Sequence, residues 1–460
     1  MKTKLIILFI VISGLVKGQY TVLHSFNDTL GANPLGNLTL SGNKLYGMTF
    51  YGGKYDSGTI FSIDTNGNGY KDLFDFYDTS GYNPFGSLLL LGNKLYGVTS
   101  WGGLNGQGTL FSVDTDGSGY RVLFNFKDIP AYRVSLIFSG KKGFYGITLS
   151  GGKNGMGNIF SIDTNGMGYR DIFDFSYSTG YGSDATLALS GKKLFGGTAI
   201  GGTYNEGNIF SVDTDGNNFK ILLDFNEKNG AQPTGPLVIS GKVLYGTVLG
   251  GLYDSGSIFS IDTDGTKYRD LFDFRQKESF YPMSSLTLAG TALYGMTRGD
   301  GIYYGDIFSI DTSGNDFKDL LDFDGTNGAV PNGNLIISHG ILYGMTEDGG
   351  LYQDGVIFKM DTNSISTASI NNLTENKASI TVYPNPSNGV FTLQSSVVSG
   401  KSSVEVYNVL GEKVYSEESY QPTANGYQLS LSNQPNGVYL YRVLNENGGL
   451  IGEGKLIIQR

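Results

Sequence analysis

The chain of 460 residues contains no cysteine, only one tryptophan and only two histidines. Without cysteine there are no disulfides, no thiolate zinc sites, no cysteine nucleophile and no cysteine for a lipid anchor. His24 and His339 lie far apart in the sequence and share no motif. No Ser/His/Asp arrangement, zinc spacing or phosphate-binding loop follows from the remaining residues, and both histidines are expected to be structural or solvated.

Helix-forming residues in periodic runs are scarce, whereas 70 glycines, 31 tyrosines and 28 phenylalanines are present. Short apolar runs broken by turn residues favour an all-β protein. The formal net charge of −10 makes nucleic acid or an anionic membrane surface an unsuitable partner.

The first residues have the pattern of a secretory signal peptide. Lys2 and Lys4 precede an apolar stretch, residues 5–16, that is too short to span a membrane comfortably. A small residue follows, so cleavage is expected near Gly18 and residues 1–18 are predicted to be removed. No later segment is apolar enough to cross a membrane as a helix, which predicts no transmembrane segment after signal removal.

A short Leu/Phe–Tyr/Phe–Gly motif recurs at intervals of 49 or 50 residues, centred on Tyr46, Tyr96, Tyr145, Phe195, Tyr245, Tyr294 and Tyr343. Each repeat offers four short strand candidates, which in the first repeat are residues 37–40, 44–49, 59–64 and 70–76. Asn-Gly and Asp-Gly turns such as residues 64–67 separate them, and these dipeptides suit tight hairpins. Four strands in a repeat of this length predict the blade of a β-propeller.

The two ends of the repeat array are complementary. The last copy, "GVIFKMDTN", stops at Asn363 without a fourth strand, while "YTVLHSF" at residues 20–26 aligns with the fourth strand "YKDLFDF" at residues 70–76. The N-terminal strand is therefore predicted to complete the last blade and to close a ring of seven, which protects the blade edges. An open β-solenoid is the alternative, but solenoids usually carry atypical capping repeats.

The motifs "YTVLHSF", "LYGMTFYGG" at residues 45–53 and "LYGVTSWGG" at residues 95–103 resemble the GloVer tandem repeat of bacterial surface and exported proteins. The resemblance covers residues 20–363. It implies a propeller-like array outside the cytoplasm and no settled activity. The predicted propeller domain is residues 19–363.

Residues 364–378 are polar and read as a linker to a second domain, residues 379–460. Its segments "ITVYPNPSNGVFTL", "VEVYNVLGEKVYS", "PNGVYLYRV" and "GKLIIQR" resemble the type A C-terminal sorting domain of the type IX secretion system. The pattern predicts a small β-sandwich. The resemblance implies the secretion machinery as a partner and a secreted or outer-membrane surface location in a Bacteroidetes-like Gram-negative bacterium. Its motif residues are Tyr383, Pro384, Asn385, Pro386, Gly389, Gly411, Gly437, Tyr439 and Lys455.

No cofactor is expected, but one turn has the start of a calcium-binding loop. Asp64, Asn66 and Asn68 have the right spacing, and Asp75 stands at position twelve. The alternative is a hairpin turn in which Asp64 caps the backbone and the returning strand carries Asp75 away. Later copies lack the glycine that the calcium loop requires, which favours the turn.

An acid recurs in the fourth strand, at Asp75, Asp174, Asp224, Asp273 and Asp322. Its regularity argues against a single active site. These residues are expected on the outer, solvated side of each blade.

Loops between the second and third strands are rich in Tyr, Asn and Gly, and are expected to share one face with the connections between blades. Such side chains suit sugar rings and adaptable protein surfaces, although Tyr also packs between Gly-rich turns. The candidate ligand-binding residues are Tyr51, Tyr55, Trp101, Asn105, Tyr204, Tyr253, Tyr303, Tyr304 and Tyr352.

The sequence thus predicts non-catalytic recognition of an extracellular glycan or protein. One alternative is a propeller-based polysaccharide hydrolase or lyase, for which "KDIPAYR" at residues 127–133 and "RGDGIYYGD" at residues 298–306 are the only segments that break the repeat pattern. A structural component of the cell surface is the other alternative.

Overall fold

The computed structural model describes residues 20–128, 131–140, 143–182, 186–226, 228–275, 281–299, 304–362, 380–395, 402–408, 413–420, 427–445 and 450–460. The chain divides into two compact units, Met1–Ala368 and Ser369–Arg460. The predicted signal peptide, the predicted linker, Tyr303 and Gly411 lie outside the described residues.

The first unit is built of short strands, with one 3-10 turn at Asp78–Ser80 and no α-helix among its described residues. The strands are β1 (Tyr20–Ser25), β2 (Thr39–Ser41), β3 (Lys44–Met48), β4 (Thr59–Asp64), β5 (Lys71–Asp75), β6 (Leu89–Leu91), β7 (Lys94–Val98), β8 (Thr109–Asp114), β9 (Arg121–Asn125), β10 (Leu136–Phe138), β11 (Gly143–Ile147), β12 (Asn158–Asp163), β13 (Arg170–Asp174), β14 (Ala188–Ser190), β15 (Lys193–Thr198), β16 (Asn208–Asp213), β17 (Lys220–Asp224), β18 (Val238–Ser240), β19 (Val243–Val248), β20 (Ser257–Asp262), β21 (Arg269–Asp273), β22 (Thr287–Ala289), β23 (Ala292–Thr297), β24 (Asp306–Asp311), β25 (Lys318–Asp322), β26 (Ile336–Ser338), β27 (Ile341–Thr346) and β28 (Val356–Asp361).

These strands form four-stranded antiparallel meanders, as the repeats predict. Sheets one to six are β2–β5, β6–β9, β10–β13, β14–β17, β18–β21 and β22–β25 in chain order. Gly42 and Gly67, in the two hairpin turns of sheet one, have φ angles of 57° and 91°, which side-chain-bearing residues rarely adopt. The turn glycines therefore fix where each strand ends.

Sheet seven combines the two ends of the repeat array, in the order β1-β28-β27-β26. The first strand pairs antiparallel with β28, with Tyr20 opposite Met360 and Ser25 opposite Val356. The register shifts between Val22 and His24, as it shifts between β4 and β5 of sheet one. The predicted pairing of the first strand with the last repeat is confirmed, and the structure adds the β-bulge.

The core of the first unit lies between sheets rather than within one sheet. Each of seven clusters of buried side chains draws residues from two successive sheets, and the seventh combines Tyr343 and Ile357 of sheet seven with Leu45 and Phe61 of sheet one. The backbone N–H of Asn334, just before β26, also donates to the side-chain oxygen of Asn37, just before β2, at 2.6 Å. The last and the first repeat therefore share buried side chains and a hydrogen bond.

The glycine of the recurring Leu–Tyr–Gly motif has a packing role. A Cβ at Gly47 would lie 2.4 Å from Cζ of Phe61, which is fully buried on the neighbouring strand. In the next two sheets, Phe111 and Phe160 lie in the same way over the equivalent Gly97 and Gly146. Only glycine leaves room for this phenylalanine, which explains why the motif recurs.

The second unit consists of two sheets that share one core. Its strands are β29 (Ile380–Tyr383), β30 (Val390–Ser395), β31 (Ser402–Tyr407), β32 (Lys413–Tyr420), β33 (Tyr427–Ser430), β34 (Gly437–Asn445) and β35 (Leu450–Ile458). Their sheet orders are β29-β30-β33 and β32-β31-β34-β35. Phe391 and Leu429 of the first sheet pack with Val404 and Leu456 of the second. This is the small sandwich that the sequence predicts.

The sorting-motif residues join these strands. Tyr383 ends β29, and Pro384 and Pro386 flank Asn385, whose side chain bonds the backbone of β35 at Lys455 and Ile457. Gly389 turns the chain with a φ of 113°, Gly437 begins β34, and the hydroxyl of buried Tyr439 donates to the Pro435 carbonyl at 2.8 Å.

Candidate functional site

A cavity of about 520 Å³ lies in the first unit, and loop residues of all seven sheets line it. Short bridges between a blade connection and the loop after a second strand build its wall, for example between Ala32 and Tyr51 and between Tyr82 and Trp101. These bridges confirm that the two kinds of loop share one face of the unit. The cavity is our candidate functional site.

In five of the seven repeats, the third residue after the glycine of the Leu–Tyr–Gly motif lines the cavity. Phe50, Ala199 and Leu249 occupy this position in sheets one, four and five, whereas sheets six and seven place Arg298 and Glu347 there. Charge thus enters the cavity where other repeats supply apolar side chains.

Arg298 and Glu347 are paired across adjacent repeats. Nη2 of Arg298 lies 3.7 Å from Oε2 of Glu347, and the side-chain amide of Asn332 donates to the same carboxylate oxygen. Burial raises the pKa of Glu347, and the negative charge of Asp348 raises it further, while Arg298, Asn332 and Arg133 act in the opposite direction. Glu347 therefore holds a proton more readily than an exposed glutamate.

The seam between the last and the first sheet runs through this cluster. The Asn33 amide, in the connection that leads to sheet one, donates to the Glu347 carbonyl at 3.2 Å and to Oδ1 of Asp348 at 3.0 Å. Burial raises the pKa of Asp348, and Arg298 and Asn33 oppose this. The connection that leads to sheet one thus helps to place Glu347 in the cavity wall and Asp348 next to it.

Arg133 enters the cavity from another repeat. Its backbone has a φ of 59°, in the left-handed region that Asn33 and Asn83 adopt in the corresponding connections. Its guanidinium lies 4.6 Å from the ring centroid of Phe85 and 5.5 Å from that of Tyr132. Cation–π contacts of this kind hold the guanidinium over the aromatic wall.

Each of the two segments that break the repeat pattern contributes one arginine to the cavity. Residues 127–133 contribute Arg133 and residues 298–306 contribute Arg298, and both side chains line the same cavity. The sequence does not indicate that the two arginines line one cavity. It also does not single out Glu347 as the third charged residue there. Alignment of the repeats could have identified Glu347, because it is the acid at a wall position that is apolar in most of the other repeats. Asp300 of the "RGD" tripeptide lies outside the described residues.

The predicted ligand-binding residues fall into two groups. Tyr51 and Trp101 line the cavity, where the Trp101 ring lies 5.9 Å from that of Tyr132. Five tyrosines lie outside it with 42% to 58% of their surface exposed, namely Tyr55, Tyr204, Tyr253, Tyr304 and Tyr352. The guanidinium of Arg275 covers the ring of Tyr253 at 4.8 Å.

Asn105 has a structural bond that the sequence does not reveal. Its amide donates to the Phe126 carbonyl at 3.0 Å, and the equivalent Asn154 donates to the Phe175 carbonyl at 2.8 Å. These bonds tie the loop to the end of the fourth strand.

The fourth-strand acids lie in the outermost strand of each sheet, where Asp322 is exposed, and several of them also bind a neighbouring loop. Oδ1 of Asp75 accepts the backbone N–H of Lys54 at 2.7 Å, and Oδ1 of Asp174 accepts that of Lys153 at 2.6 Å. In sheet two, Asn125 makes the same bond to Leu104. These half-buried side chains anchor the Tyr-bearing loops, and the constant separation of 21 residues between donor and acceptor is the signal that marks them.

The candidate calcium loop has the geometry of a hairpin. Asp64 pairs with the Lys44 ammonium at 2.9 Å, and Oδ1 of Asn66 accepts the N–H of Asn68 at 2.9 Å. Asp75 lies opposite Thr59, at the far end of the hairpin from Asp64. Because residues 64–75 extend through the turn and along one strand of a hairpin instead of curling around a centre, their side chains do not surround one ion. Among the described residues, no group of three His, Asp or Glu side chains is placed to hold a metal.

The fold and the cavity define an all-β protein of tandem four-stranded sheets, arranged like propeller blades, with a candidate site on the loop face. Residues 10–134, 128–252 and 240–400 match the Gloeobacter/Verrucomicrobia repeat, so the chain belongs to this repeat family. Residues 381–459 match the secretion system C-terminal sorting domain. No curated protein matches the sequence.

Three solved structures illustrate the structural similarity. PorZ, an essential surface component of the type IX secretion system of Porphyromonas gingivalis, has a TM-score of 0.48 at 15% identity over 93% of this chain, which spans 60% of PorZ. TolB from Acinetobacter baumannii has a TM-score of 0.36 at 14% identity, covering 70% of this chain and 78% of TolB. The β-propeller domain of the Trilobed protease from Pyrococcus furiosus has a TM-score of 0.44 at 8% identity, covering 72% of this chain and 94% of that domain.

The sorting domain marks a secreted or cell-surface protein and implies interaction with the type IX secretion machinery. None of the described segments forms a helix of the length and apolarity needed to cross a membrane.

Proposed function

We propose that residues 19–363 form a closed seven-bladed β-propeller, joined by a linker at residues 364–378 to the sorting domain at residues 379–460. The pairing of β1 with β28 and the cluster shared by sheets seven and one support closure. Closure leaves no sheet at the end of the array exposed to other chains.

We infer that the propeller is a non-catalytic recognition component at the bacterial surface, which binds an extracellular glycan or protein through its loop face. The observation that carries this function is the cavity, because side chains that differ between repeats meet there. Arg133, Arg298, Glu347 and Trp101 come from four repeats. Packing alone does not explain these four different side chains, because other repeats have small or apolar residues in the cavity wall.

The exposed tyrosines extend the proposed recognition surface beyond the cavity. Tyr55, Tyr204 and Tyr352 combine a large apolar ring with a hydroxyl, and each is more than half exposed. Tyrosine contributes contact area at a small loss of conformational entropy, which suits binding surfaces. The fourth-strand acids hold these loops in place, so the surface is organised before a ligand arrives.

The proposal is tested by titrating the full chain with bacterial, algal and plant polysaccharides and following the fluorescence of Trp101, the only tryptophan in the sequence. A saturable shift with one glycan class, weakened by Tyr51→Ala, is the expected result. Met167→Ala is the control, because Met167 is 68% exposed in the turn at the other end of its sheet. A flat response to every glycan would leave glycan recognition at this cavity without support and favour a protein partner or a structural role.

A polysaccharide hydrolase or lyase is the second candidate, and Glu347 is the observation that favours it. A half-buried carboxyl with a raised pKa beside an arginine suits general acid catalysis. Release of new reducing ends from a polysaccharide, abolished by Glu347→Gln, would replace the non-catalytic proposal. Binding without product supports recognition alone.

A further inference from the structure

We propose that the cavity binds the carboxylate of an acidic sugar unit, with Arg133 and Arg298 as the carboxylate-binding side chains and the rings of Trp101 and Tyr132 beside the sugar. This inference rests on the proposed function and names the class of glycan that the site would recognise.

The placement of positive charge carries the argument. The chain has a formal net charge of −10, yet two arginines from different repeats line the cavity together with Glu347, the one acid among its described lining residues. At the equivalent wall position, Arg298 replaces the Phe50, Ala199 and Leu249 of other repeats. A guanidinium presents a planar fork of N–H donors that matches a carboxylate with two parallel hydrogen bonds.

The contact with Glu347 does not occupy all the N–H donors of Arg298. Nη2 of Arg298 lies 3.7 Å from the Glu347 carboxylate, which is longer than a direct charged hydrogen bond, and the Arg298 side chain is 44% exposed. A guanidinium carries five N–H donors. Glu347 is therefore a built-in competitor that a ligand carboxylate would displace from Arg298.

The aromatic wall favours a sugar over a small inorganic anion. The Trp101 and Tyr132 rings lie 5.9 Å apart with their planes at 31°, and the Arg133 guanidinium lies 5.5 Å from the Tyr132 centroid. Aromatic faces pack on the apolar face of a pyranose while nearby cations bind its substituents.

The size of the cavity favours the end of a saccharide over a folded protein. Its volume of about 520 Å³ lies within the range of about 300–1,000 Å³ that is typical of small-molecule sites. The end of a short saccharide fits such a space, whereas a protein surface would contact only the surrounding tyrosines.

The test compares acidic and neutral trisaccharides on the full chain, by Trp101 fluorescence and by calorimetry. The acidic probes are trisaccharides of galacturonic, glucuronic and mannuronic acid, and the neutral probes are the matching trisaccharides of galactose, glucose and mannose. At least one acidic probe is expected to bind, and its neutral counterpart to bind at least about tenfold more weakly, since a hydrogen bond to a charged group is at stake.

Three variants separate ligand binding from a structural role. Arg298→Gln and Arg133→Gln are each expected to weaken binding of the acidic probe by about tenfold or more. Glu347→Gln is expected to tighten it, because the competitor for Arg298 is removed while the bond from Asn332 can persist. Arg121→Gln, at an exposed position on β9, is the matched control and should change nothing.

The outcomes are distinct. Equal binding of acidic and neutral probes, unaffected by the arginine variants, overturns the carboxylate inference and leaves glycan recognition standing. Loss of binding in Glu347→Gln, as in Arg298→Gln, also overturns it, since the pair would then be structural. No response to any saccharide removes both the inference and the glycan form of the proposed function.

Discussion

The imidazole of His24 stacks on the ring of Tyr70, with centroids 3.9 Å apart and planes 9° apart. His24 belongs to β1 in sheet seven and Tyr70 directly precedes β5 in sheet one, so the stack crosses the seam between the ends of the array. Phe74 and Tyr120 make the same contact between sheets one and two, at 3.8 Å and 4°. The seam therefore repeats an ordinary contact between sheets, with histidine in place of phenylalanine.

Replacement of His24 by phenylalanine is predicted to stabilise the protein, chiefly at acidic pH. Burial lowers the pKa of His24 to about 4, so the folded state keeps the ring neutral while the unfolded state takes up a proton near pH 6.5. Stability is then lost as pH falls from about 6.5 toward 4. Denaturant unfolding of His24→Phe should lack this part of the pH dependence, and an unchanged profile would contradict a half-buried histidine that stays neutral in the folded state.

Asp72 is predicted to affect stability in the opposite direction. Burial and the negative charge of Asp75 raise the pKa of Asp72 to about 6, from 3.8. The folded state thus holds a proton that the unfolded state releases, and stability falls as pH rises from about 4 to 6. Asp72→Asn, which can still accept the N–H of Phe74, should stabilise the protein above pH 6 and not below pH 4. Equal unfolding free energies for variant and parent at pH 7 would count against this.

Asp75 is predicted to hold the loop that carries Tyr55. Asp75→Ala leaves the Lys54 N–H without its acceptor and should lower the free energy of unfolding by about 1–3 kcal/mol. Asp75→Asn should retain most of the parent's free energy of unfolding, because Asn125 makes the same bond in sheet two. Thermal unfolding and limited proteolysis of residues 53–58 measure both effects. Similar losses in the two variants would show that charge, rather than the hydrogen bond, matters here.

Gly47 is predicted to be intolerant of alanine. The new Cβ would lie 2.4 Å from Cζ of Phe61, and overpacking of this kind costs about 1–3 kcal/mol. Phe61→Leu in the same chain should recover part of the loss, so the double variant should be less destabilised than the sum of the two single variants. Strict additivity in denaturant unfolding would mean that the two residues do not meet.

The sequence predicts the local elements of this fold well, because each four-stranded sheet is built from neighbouring residues and its turns have strong glycine signals. The pairing of residues 20–26 with the last repeat is also predictable, since the two ends are complementary. The site is harder to predict. Tyr51 and Trp101 are identified by composition, but Arg133, Arg298 and Glu347 meet only through the arrangement of the sheets. The roles of Asp75 and Asn105 depend on hydrogen bonds to backbone groups 21 residues away, which composition does not reveal.

Closure of the array by its first strand is the central claim, because that seam places Asn33 beside Glu347 and Asp348. Thr21 and Lys359 lie opposite each other in the pairing of β1 with β28, and the sequence has no other cysteine to interfere. In the Thr21→Cys/Lys359→Cys variant, a disulfide should form in the folded protein and stabilise it by up to about 5 kcal/mol, since it closes a very long loop. Unfolding in denaturant with and without reductant measures this. Two thiols that stay reduced under mild oxidation of the folded protein would show that the array is open at this seam, which would contradict the account.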